Sequence, residues 1–297
     1  MDLKTTVLIN TAGGTAKDPQ ATADLQALLA AQLPAAAVEM VREGDDLTER
    51  AQAACAQGAQ IVAVAGGDGS LNAAAQSLVG TSVRLGVLPF GTFNHFARDA
   101  GVPLDLPKAV ELLRGGDARR IDVGAVNDRY FLNNASLGLY PELVQLREHE
   151  SHALSKPLRL LEATWQITRT AKPLPLQIDD AGGLAHVRVW LIFVGNNFYQ
   201  LGIFRRRHRT RLDAAKLDVF EVRARRRVEI AQVLLHALRT GLRLRNVVHR
   251  ELTTITVRPV GTPHAPVAFD GEVADMPGPF TFRSVPQSLW VVAPPAP

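Results

Sequence analysis

The sequence predicts a two-domain α/β protein, with a three-layer α/β domain over residues 1–120 and a mostly antiparallel β domain over residues 121–297. In the first part, short apolar runs alternate with segments of helical spacing, as expected for a parallel sheet covered by helices on both faces. After Arg119 most segments have the length and composition of strands instead. The chain has 297 residues, 46% of them hydrophobic, which is enough for two ordinary cores.

The N-terminal domain is predicted to contain four strands, separated by helices. Asp18-Pro19 is typical of a helix N-terminus, with a capping carboxylate followed by proline at the first helical position. Leucines then follow at helical spacing, at positions 25, 28, 29 and 33. The predicted strands are 7–9, 38–41, 61–65 and 85–88, and the predicted helices begin at 19, 46, 70, 92 and 106.

The C-terminal domain is predicted to begin with a hairpin, in which Asn127-Asp128 separates the strands 121–126 and 129–137. Helical patterns cover about 141–170 and 228–242. The remaining segments are strand-like, with turns at 179–183 and 259–266. We therefore expect an antiparallel β domain interrupted by two helices.

The cysteine content and the apolar runs indicate the compartment. Cys55 is the only cysteine, which excludes an intrachain disulfide and favours a reducing compartment. No basic segment followed by a long apolar run opens the chain, so no signal peptide is expected. The longest apolar run, 187–194, is far shorter than the ~20 residues that span a bilayer. The sequence predicts a cytoplasmic protein that could contact a membrane only peripherally.

Positive charge is concentrated in one part of the chain. Residues 201–250 contain 14 basic and 4 acidic residues, whereas the rest of the chain has a net charge of −6. The arginine clusters 205–209 and 223–227 suit an anionic membrane surface or a phosphate-bearing ligand, and they are also compatible with a solvated surface. Aromatic residues are only 6% of the chain and are not interleaved with these arginines, so nucleic acid is not an expected partner.

A glycine-rich loop, Gly66-Gly67-Asp68-Gly69-Ser70, connects the third strand to a helix. Because it follows a parallel strand, it is expected at the ligand-binding edge of the sheet. Glycines let phosphate oxygens approach the backbone, and a helix N-terminus offers free N–H groups. A carboxylate in such a loop, Asp68, is best explained as holding Mg²⁺, directly or through water. A tight turn without a ligand is the alternative for this motif alone.

The fourth strand ends in a second turn of this kind, and residues 88–98 read LPFGTFNHFAR. Thr92 and Asn94 are candidates for hydrogen bonds to a nucleotide, and Arg98 for an ion pair with phosphate or with an acid. His95 is expected to be a packed or surface residue. Adjacent parallel strands end at one edge of a sheet, so both loops are expected at one crevice. Neither the P-loop nor the Rossmann glycine pattern is present.

Together these motifs resemble the diacylglycerol kinase catalytic family, which includes bacterial soluble lipid kinases and is related to sphingosine and ceramide kinases. The main matching pieces are GGDGSLN at 66–72, Pro89-x-Gly91-Thr92-x-Asn94-x-Phe96-Ala97-Arg98 and Asp270-Gly271-Glu272. Weaker matches are Asn10-x-x-x-Gly14, YFLN at 130–133 with Gly138, Leu212-Asp213 and KLDV at 216–219. These pieces cover nearly the whole chain in the family's order.

The resemblance implies an N-terminal ATP-binding domain, a C-terminal lipid-substrate domain and an active site in the cleft. It implies ATP and Mg²⁺ as cofactors and a lipid alcohol such as diacylglycerol as substrate. Glu272 would take the proton from the lipid hydroxyl, with Asp270 as support or rival candidate, and Asp68 would organise the catalytic Mg²⁺. The implied ATP-binding positions are Asn10, Gly14, Gly66, Gly67, Asp68, Gly69, Ser70, Leu71, Asn72, Thr92 and Asn94.

The chain also departs from the family's usual pattern. Phe93 stands where glycine is common, and His95 replaces a frequent aspartate. The Asp-Gly that holds a structural Mg²⁺ in some bacterial members is Ala214-Ala215 here, so Asp213 is the candidate substitute ligand. Thr11 replaces a usual proline, and Val41 replaces a threonine that contacts the nucleotide. These departures leave the identity of the lipid open.

Three other functions are compatible with parts of the sequence. NAD kinase shares a Gly-Gly-Asp-Gly loop, but the second loop and Asp-Gly-Glu argue against it. A 6-phosphofructokinase has a similar loop in a different layout. A non-catalytic lipid or nucleotide sensor is suggested by the altered metal segment, although retention of Asp68 and Glu272 argues against it. The sequence leaves the oligomeric state open, a homodimer included.

Overall fold

The structure, a computed structural model, describes residues 3–12, 15, 18–42, 46–139, 172–180, 182–198, 209, 211–224, 229 and 246–295. The chain divides into two compact units. Unit 1 comprises Met1–Val123, Thr210–Ala215 and Val285–Pro297, and unit 2 comprises Gly124–Arg209 and Lys216–Ser284. The predicted helices over 141–170 and 228–242 lie outside the described residues.

Helices and strands alternate in the first half of the chain, and strands follow. The helices are α1 Pro19–Gln32, α2 Leu47–Ala56, α3 Asp68–Leu78, α4 His95–Asp99 and α5 Leu106–Gly115. The first eight strands are β1 Thr5–Asn10, β2 Ala37–Val41, β3 Ile61–Gly66, β4 Arg84–Pro89, β5 Ala118–Val126, β6 Arg129–Phe131, β7 Asn134–Gly138 and β8 Leu174–Asp180. The others are β9 Gly183–Val189, β10 Leu191–Asn196, β11 Leu217–Val222, β12 Val247–Leu252, β13 Thr254–Pro259, β14 His264–Phe269, β15 Glu272–Pro277 and β16 Phe280–Val292. No described helix is long and apolar enough to cross a bilayer.

Unit 1 is built on a parallel sheet with the strand order β2-β1-β3-β4-β16. β1 to β4 run parallel to one another, and Trp290 and Val291 of β16 pair in parallel with β4. Every residue of β3 is buried, as are Val7, Leu8 and Ile9 of β1. Side chains of a strand alternate between faces, so both faces of this sheet are covered. The predicted three-layer α/β domain is confirmed.

Short polar side chains set the helix starts in unit 1. Asp18 accepts a hydrogen bond from the Gln20 N–H at 3.0 Å, and Pro19 occupies the first turn. Asp46 caps α2, and Asp105 caps α5 through the Lys108 N–H at 3.2 Å. Each such cap is worth about 1 kcal/mol. Local sequence therefore fixes where these helices begin.

Unit 2 consists of antiparallel strands in two sheets. One sheet has the order β12-β11-β10-β7-β14-β15, and in the other β9, β8, β13 and the first half of β16 pair in that order. Side chains from both sheets form one apolar core, which includes Phe131, Leu137, Ile178, Val219 and Phe282. The predicted antiparallel β domain is confirmed.

The division of the chain differs from the prediction of one contiguous second domain over 121–297. Residues 210–215 and 285–297 belong to unit 1. The reason lies partly in Asp122, a fully buried carboxylate that accepts hydrogen bonds from the Ala215 N–H at 2.6 Å and the Gln287 N–H at 2.9 Å. β5 and β16 each begin in one unit and end in the other.

Three predicted elements have different bounds. α3 begins at Asp68 rather than at residue 70, so the last three of the five loop residues are helical. The helix predicted from 92 is the five-residue α4, because Asn94 has a left-handed conformation with φ +53°. The predicted strand 129–137 is interrupted at Leu132 and Asn133, whose N–H groups bind the carboxylate of Asp270 instead of a neighbouring strand.

Candidate active site

The glycine loop is the beginning of a helix. Gly66 ends β3, Gly67 is the N-cap of α3, and Asp68, Gly69 and Ser70 form its first turn. The first intrahelical bond runs from the Leu71 N–H to the Gly67 carbonyl at 3.1 Å. The N–H groups of residues 68–70 therefore have no acceptor within the helix, which leaves a donor-rich, electropositive terminus.

Asn10 supports this loop from the end of β1. Its side-chain N–H donates to the Ser70 hydroxyl at 2.7 Å, and its Oδ1 accepts from the Ala12 N–H at 3.0 Å. A Cβ atom at Gly66 would lie only 2.6 Å from the Ser70 oxygen, so glycine is required for this packing. Asn10 therefore stabilises the glycine loop through Ser70, from the neighbouring strand. Gly14 lies outside the described residues.

Two of the predicted ATP-binding residues are buried within α3. Leu71 is 1% exposed and Asn72 is 3% exposed. The Asn72 Oδ1 accepts a hydrogen bond from the Gln76 side chain at 3.2 Å. These two residues therefore help to pack α3 against the rest of unit 1.

Asp68 connects the glycine loop to the second motif. Its two carboxylate oxygens accept hydrogen bonds from the His95 N–H at 3.1 Å and the Phe96 N–H at 2.8 Å. These amides begin α4. Asp68 thus has a structural role within unit 1 in addition to any contact with a cation.

Backbone contact brings the two loops together, as their place at adjacent strand ends predicts. A Cβ atom at Gly91 would lie 2.4 Å from the Gly67 Cα and 3.0 Å from the Gly67 nitrogen. Asn94 closes the second loop, since its side chain accepts from the Gly91 N–H at 3.0 Å and donates to the Gly91 carbonyl at 2.9 Å. Glycine at position 91 therefore permits the close approach.

The exposed residues of the second loop differ in their surroundings. Thr92 is exposed, and its hydroxyl makes no hydrogen bond to any residue that the structure describes. Phe93 is 59% exposed and stacks on the His95 ring, with centroids 5.6 Å apart. Arg98 donates to the Phe93 carbonyl at 3.3 Å. Thr92 is thus the residue of this loop that offers a hydroxyl to a ligand.

The Asp-Gly-Glu segment of unit 2 is a tight hairpin turn. Phe269 and Glu272 pair across β14 and β15, which leaves Asp270 and Gly271 as a two-residue loop. Both loop residues have positive φ, +49° and +95°. This is the backbone of a type I′ turn, for which Asp-Gly is a favoured sequence. Asp270 therefore lies in the turn, and Glu272 is the first residue of the next strand.

The carboxylate of Asp270 is enclosed by backbone donors. Its Oδ2 accepts from the Leu132 N–H at 2.6 Å, and its Oδ1 accepts from the Asn133 and Asn134 N–H groups at 2.8 and 3.0 Å. Burial raises the pKa of Asp270 to about 6, against the lowering effect of these amides and of the Arg209 charge. Its oxygens are committed to the segment that joins β6 and β7, which favours a supporting role.

Glu272 has the setting of a proton acceptor. The residue is exposed at the start of β15, and partial burial of its carboxyl group raises its pKa, while the Arg129 cation acts in the opposite direction. The Arg129 guanidinium also lies over the Phe269 ring, 5.6 Å from its centroid. A raised pKa makes a carboxylate a better general base.

The two predicted metal ligands, Asp68 and Asp213, have different surroundings. The Asp213 carboxylate is 42% exposed and pairs with Arg211 at 3.0 Å, so a cation would compete with the arginine. Asp213 as a ligand stays a prediction. Among the residues that the structure describes, no three His, Cys, Asp or Glu side chains form a group able to hold a metal ion.

Arg209 is a residue whose place the sequence does not reveal. It belongs to the arginine cluster 205–209, yet it is only 4% exposed, and its guanidinium donates to the carbonyls of Leu132 and Asn196 at 2.9 Å each. Arg223, from the second cluster, pairs with the fully buried Glu221. Neither arginine is a freely exposed surface charge. Residues 205–208 and 225–227 lie outside the described part of the chain.

Comparisons with known proteins show which proteins this chain resembles. Residues 4–126 match the family model "Diacylglycerol kinase catalytic domain". A diacylglycerol kinase of Bacillus subtilis (strain 168) is 32% identical over 152 residues, which are 50% of this chain and 50% of the relative. One from Staphylococcus aureus (strain JH9) is 28% identical over 152 residues, 50% of this chain and 48% of the relative. The matched region thus spans about half the length of these curated relatives.

Solved structures extend the likeness in fold to the whole chain. A crystal structure described as a diacylglycerol kinase from Bacillus anthracis str. Sterne aligns with a TM-score of 0.71 and 21% identity, over 99% of this chain and 98% of its own. Another structure from that organism reaches a TM-score of 0.75 at 22% identity, over 99% and 96%. The resemblance that the motifs suggested is confirmed for residues 4–126, which match the diacylglycerol kinase catalytic domain family.

Proposed function

We propose that the protein is an ATP- and Mg²⁺-dependent lipid kinase that phosphorylates the hydroxyl of diacylglycerol or a related lipid. The observation that carries the proposal is the contact between the two loops at the ends of β3 and β4. This contact places the amide-rich start of α3 beside the exposed Thr92, within a domain that matches a kinase family.

The phosphates of ATP fit the N-terminus of α3. The N–H groups of residues 68–70 have no partner within the helix, and the helix dipole favours a negative charge at this end. The Thr92 hydroxyl adds a donor on the adjacent loop. Asn10, Asn94 and Asn72 act in this proposal by holding the loops and the helix, because their side chains are already hydrogen-bonded within unit 1.

Asp68 is suited to hold Mg²⁺ together with bound phosphates. Each of its oxygens accepts one N–H, which leaves lone pairs for a cation or its water ligands. Mg²⁺ is usually held by one or two carboxylates plus substrate phosphates, so a single acidic side chain fits the ion. When bound, the ion supplies positive charge that offsets the charge on the transferring phosphoryl group.

Glu272 supplies the base in the proposed reaction. Its carboxylate takes the proton of the lipid hydroxyl, the hydroxyl oxygen forms a bond to the γ-phosphorus of ATP, and the bond to ADP breaks. The raised pKa of Glu272 supports this role. Asp270 supports the turn that precedes Glu272, since its own oxygens are occupied by three amides.

A cytoplasmic enzyme that works at an anionic membrane surface is part of the proposal, because its substrate is a lipid. The arginines at 205–207 and 225–227 are the ones proposed to contact anionic headgroups, at about 1 kcal/mol for each residue near the surface. Arg209 and Arg223 are excluded from this role because they are engaged within unit 2.

The test is phosphate transfer from labelled ATP, with Mg²⁺, to mixed micelles that contain diacylglycerol, monoacylglycerol, sphingosine or ceramide. NAD serves as a non-lipid acceptor. Asp68→Ala and Glu272→Gln are compared with Glu251→Gln, a matched change at an exposed glutamate of β12. We expect one labelled lipid, loss of the label in the first two variants and no loss in the third.

Other outcomes would redirect the assignment. Labelled NADP would indicate an NAD kinase. ATP binding without any labelled acceptor would indicate a nucleotide sensor. Undiminished lipid labelling by Glu272→Gln would overturn the role of Glu272 as the base.

A further inference from the structure

A three-residue segment of unit 2, Leu132–Asn134, is held from two sides. On one side its three consecutive N–H groups point at the carboxylate of Asp270, at 2.6–3.0 Å. Such a run of amides forms a concave anion-binding site, and here a side chain of the same protein fills it. The Asp270 N–H in turn donates to the Asn134 carbonyl at 2.9 Å. The turn and the segment are thus joined by four hydrogen bonds.

On the other side the acceptors of the segment bind Arg209. Its Nη1 donates to the Leu132 carbonyl and to the Asn196 carbonyl, both at 2.9 Å, and its Nη2 donates to the Asn133 Oδ1 at 2.7 Å. Leu132 and Asn196 are fully buried, and Asn133 and Arg209 are each 4% exposed. A planar guanidinium can bind several acceptors at fixed angles, which a lysine ammonium cannot reproduce.

We propose that Arg209 is a positioning residue for Glu272. It fixes Leu132–Asn134, which holds the Asp270 carboxylate and thereby the two-residue turn from which Glu272 begins β15. This inference rests on the proposed function in one respect only, the use of Glu272 as a base. The structural part of the inference, a clamp made by Arg209 and Asp270 around one segment, stands on the contacts alone.

The arrangement gives a reason for placing a cation in the interior of unit 2. Burying a guanidinium is costly unless its donors are satisfied and an opposite charge is near. Arg209 meets both conditions through three acceptors and the nearby Asp270 charge. A lysine at this position would keep the positive charge but lose the planar guanidinium with its two donor nitrogens. The segment would then be held by fewer hydrogen bonds.

The test compares Arg209→Lys and Arg209→Met with Arg258→Met, which removes an exposed arginine of β13. Two readouts are independent of catalysis: amide hydrogen exchange at Leu132–Asn134, and the ¹³C carboxyl titration of Asp270. We expect faster exchange in both Arg209 variants, a higher Asp270 pKa in Arg209→Met, and no change in Arg258→Met. Arg209→Lys carries the test if Arg209→Met fails to fold.

Kinase kinetics then test the link to Glu272. In the Arg209→Lys variant we expect kcat to fall by about 10- to 100-fold, because a small displacement of a catalytic group has an effect of this size. The KM for ATP should be unchanged. The acidic limb of the pH–rate profile should also move, since the surroundings of Glu272 change with the turn. The groups that face these carboxyls are Arg209 for Asp270 and Arg129 for Glu272.

The outcomes separate the two claims. Unchanged exchange and an unchanged Asp270 titration in Arg209→Lys and Arg209→Met would overturn the clamp. Faster exchange together with unaltered kcat and pH profile would overturn the positioning of Glu272. If the wild-type protein transfers phosphate to no lipid, the proposed function fails, while the exchange and titration experiments still decide whether the clamp exists.

Discussion

The backbones of Gly67 and Gly91 are in contact, and the contact leaves room for a side chain at Gly67 but not at Gly91. A Cβ atom at Gly91 would lie 2.4 Å from the Gly67 Cα, whereas one at Gly67 would lie 3.7 Å from the Gly91 Cα, an ordinary contact. The contact between the two loops of the proposed phosphate site therefore requires glycine at position 91, after β4, and tolerates a larger residue at position 67.

The first prediction follows from this inequality. Gly91→Ala should lower the free energy of unfolding by about 1–3 kcal/mol, because the added methyl group forces the loops apart. Gly67→Ala, with φ −91°, should change it little and is the matched control. Urea unfolding of both variants makes the measurement. Equal stability of the two variants would contradict the close backbone contact between Gly67 and Gly91.

The second prediction concerns the pH dependence of phosphate transfer. The proposed base must be ionised, so the rate should fall as pH drops through the pKa of Glu272, which burial raises above its ordinary value of 4.5. Arg129 lowers this pKa, so Arg129→Gln should raise it further and move the acidic limb to higher pH. Arg258→Gln changes an exposed arginine of β13 and is the control, so its pH–rate profile should match that of the wild type. A shift to lower pH in Arg129→Gln would be incompatible with the predicted interaction.

The third prediction uses the buried carboxyl of Asp270 to link stability and pH. Its folded-state pKa is about 6 against an ordinary value of 3.8, so the folded protein binds the proton more tightly than the unfolded chain. The resulting stability is fully present below pH 3.8 and is lost as pH rises through 6, in total about 3 kcal/mol.

Asp270→Asn removes this titration, and it should be less stable than the wild type because an amide replaces an acceptor of three N–H groups. The difference in free energy of unfolding between wild type and variant should shrink as pH rises from 4 to 7. Chemical unfolding at a series of pH values measures it. A difference that grows with pH would mean that the amides and Arg209 outweigh burial and favour the charged form.

The fourth prediction concerns Ala215, which has a left-handed backbone with φ +54°. This conformation costs an alanine about 1 kcal/mol and costs glycine almost nothing. Ala215→Gly should therefore preserve or raise the thermal midpoint, whereas Ala214→Gly, at a residue without positive φ, should lower it. The reverse order would show that the Asp122 hydrogen bond to the Ala215 N–H does not enforce this backbone conformation.

Local signals explain how much of unit 1 the sequence predicts. Asp18 with Pro19 marks the start of α1, and the buried runs of β1 and β3 indicate a sheet covered on both faces. The glycine loop is likewise readable as a motif, because Gly66 to Ser70 are consecutive in the chain and directly follow the apolar run of β3. Its contacts with Asn10 and Gly91 are long-range and are not readable in this way. The start of α3 at Asp68 is missed, since glycine at positions 67 and 69 is a poor local indicator of a helix.

Long-range contacts explain what the sequence does not predict. Asp270 binds amides that are 136–138 residues earlier in the chain, and Arg209 reaches Leu132 across 77 residues. Such long-range pairs leave no periodic pattern in the sequence. Arg209 also belongs to a cluster of arginines, which suggests a surface charge rather than a buried one. The break of the predicted strand 129–137 has the same cause, because strand propensity there yields to the hydrogen bonds of Asp270.

β16 has a consequence for how the protein is made. Trp290 and Val291 pair with β4, so during synthesis the edge of β4 lacks this neighbour until about 200 further residues have been translated. An unpaired edge strand is a template for incorrect pairing with other chains. The nascent chain therefore passes through a long interval in which the parallel sheet of unit 1 is vulnerable to aggregation. Its yield in cells should depend on chaperones that shield that edge.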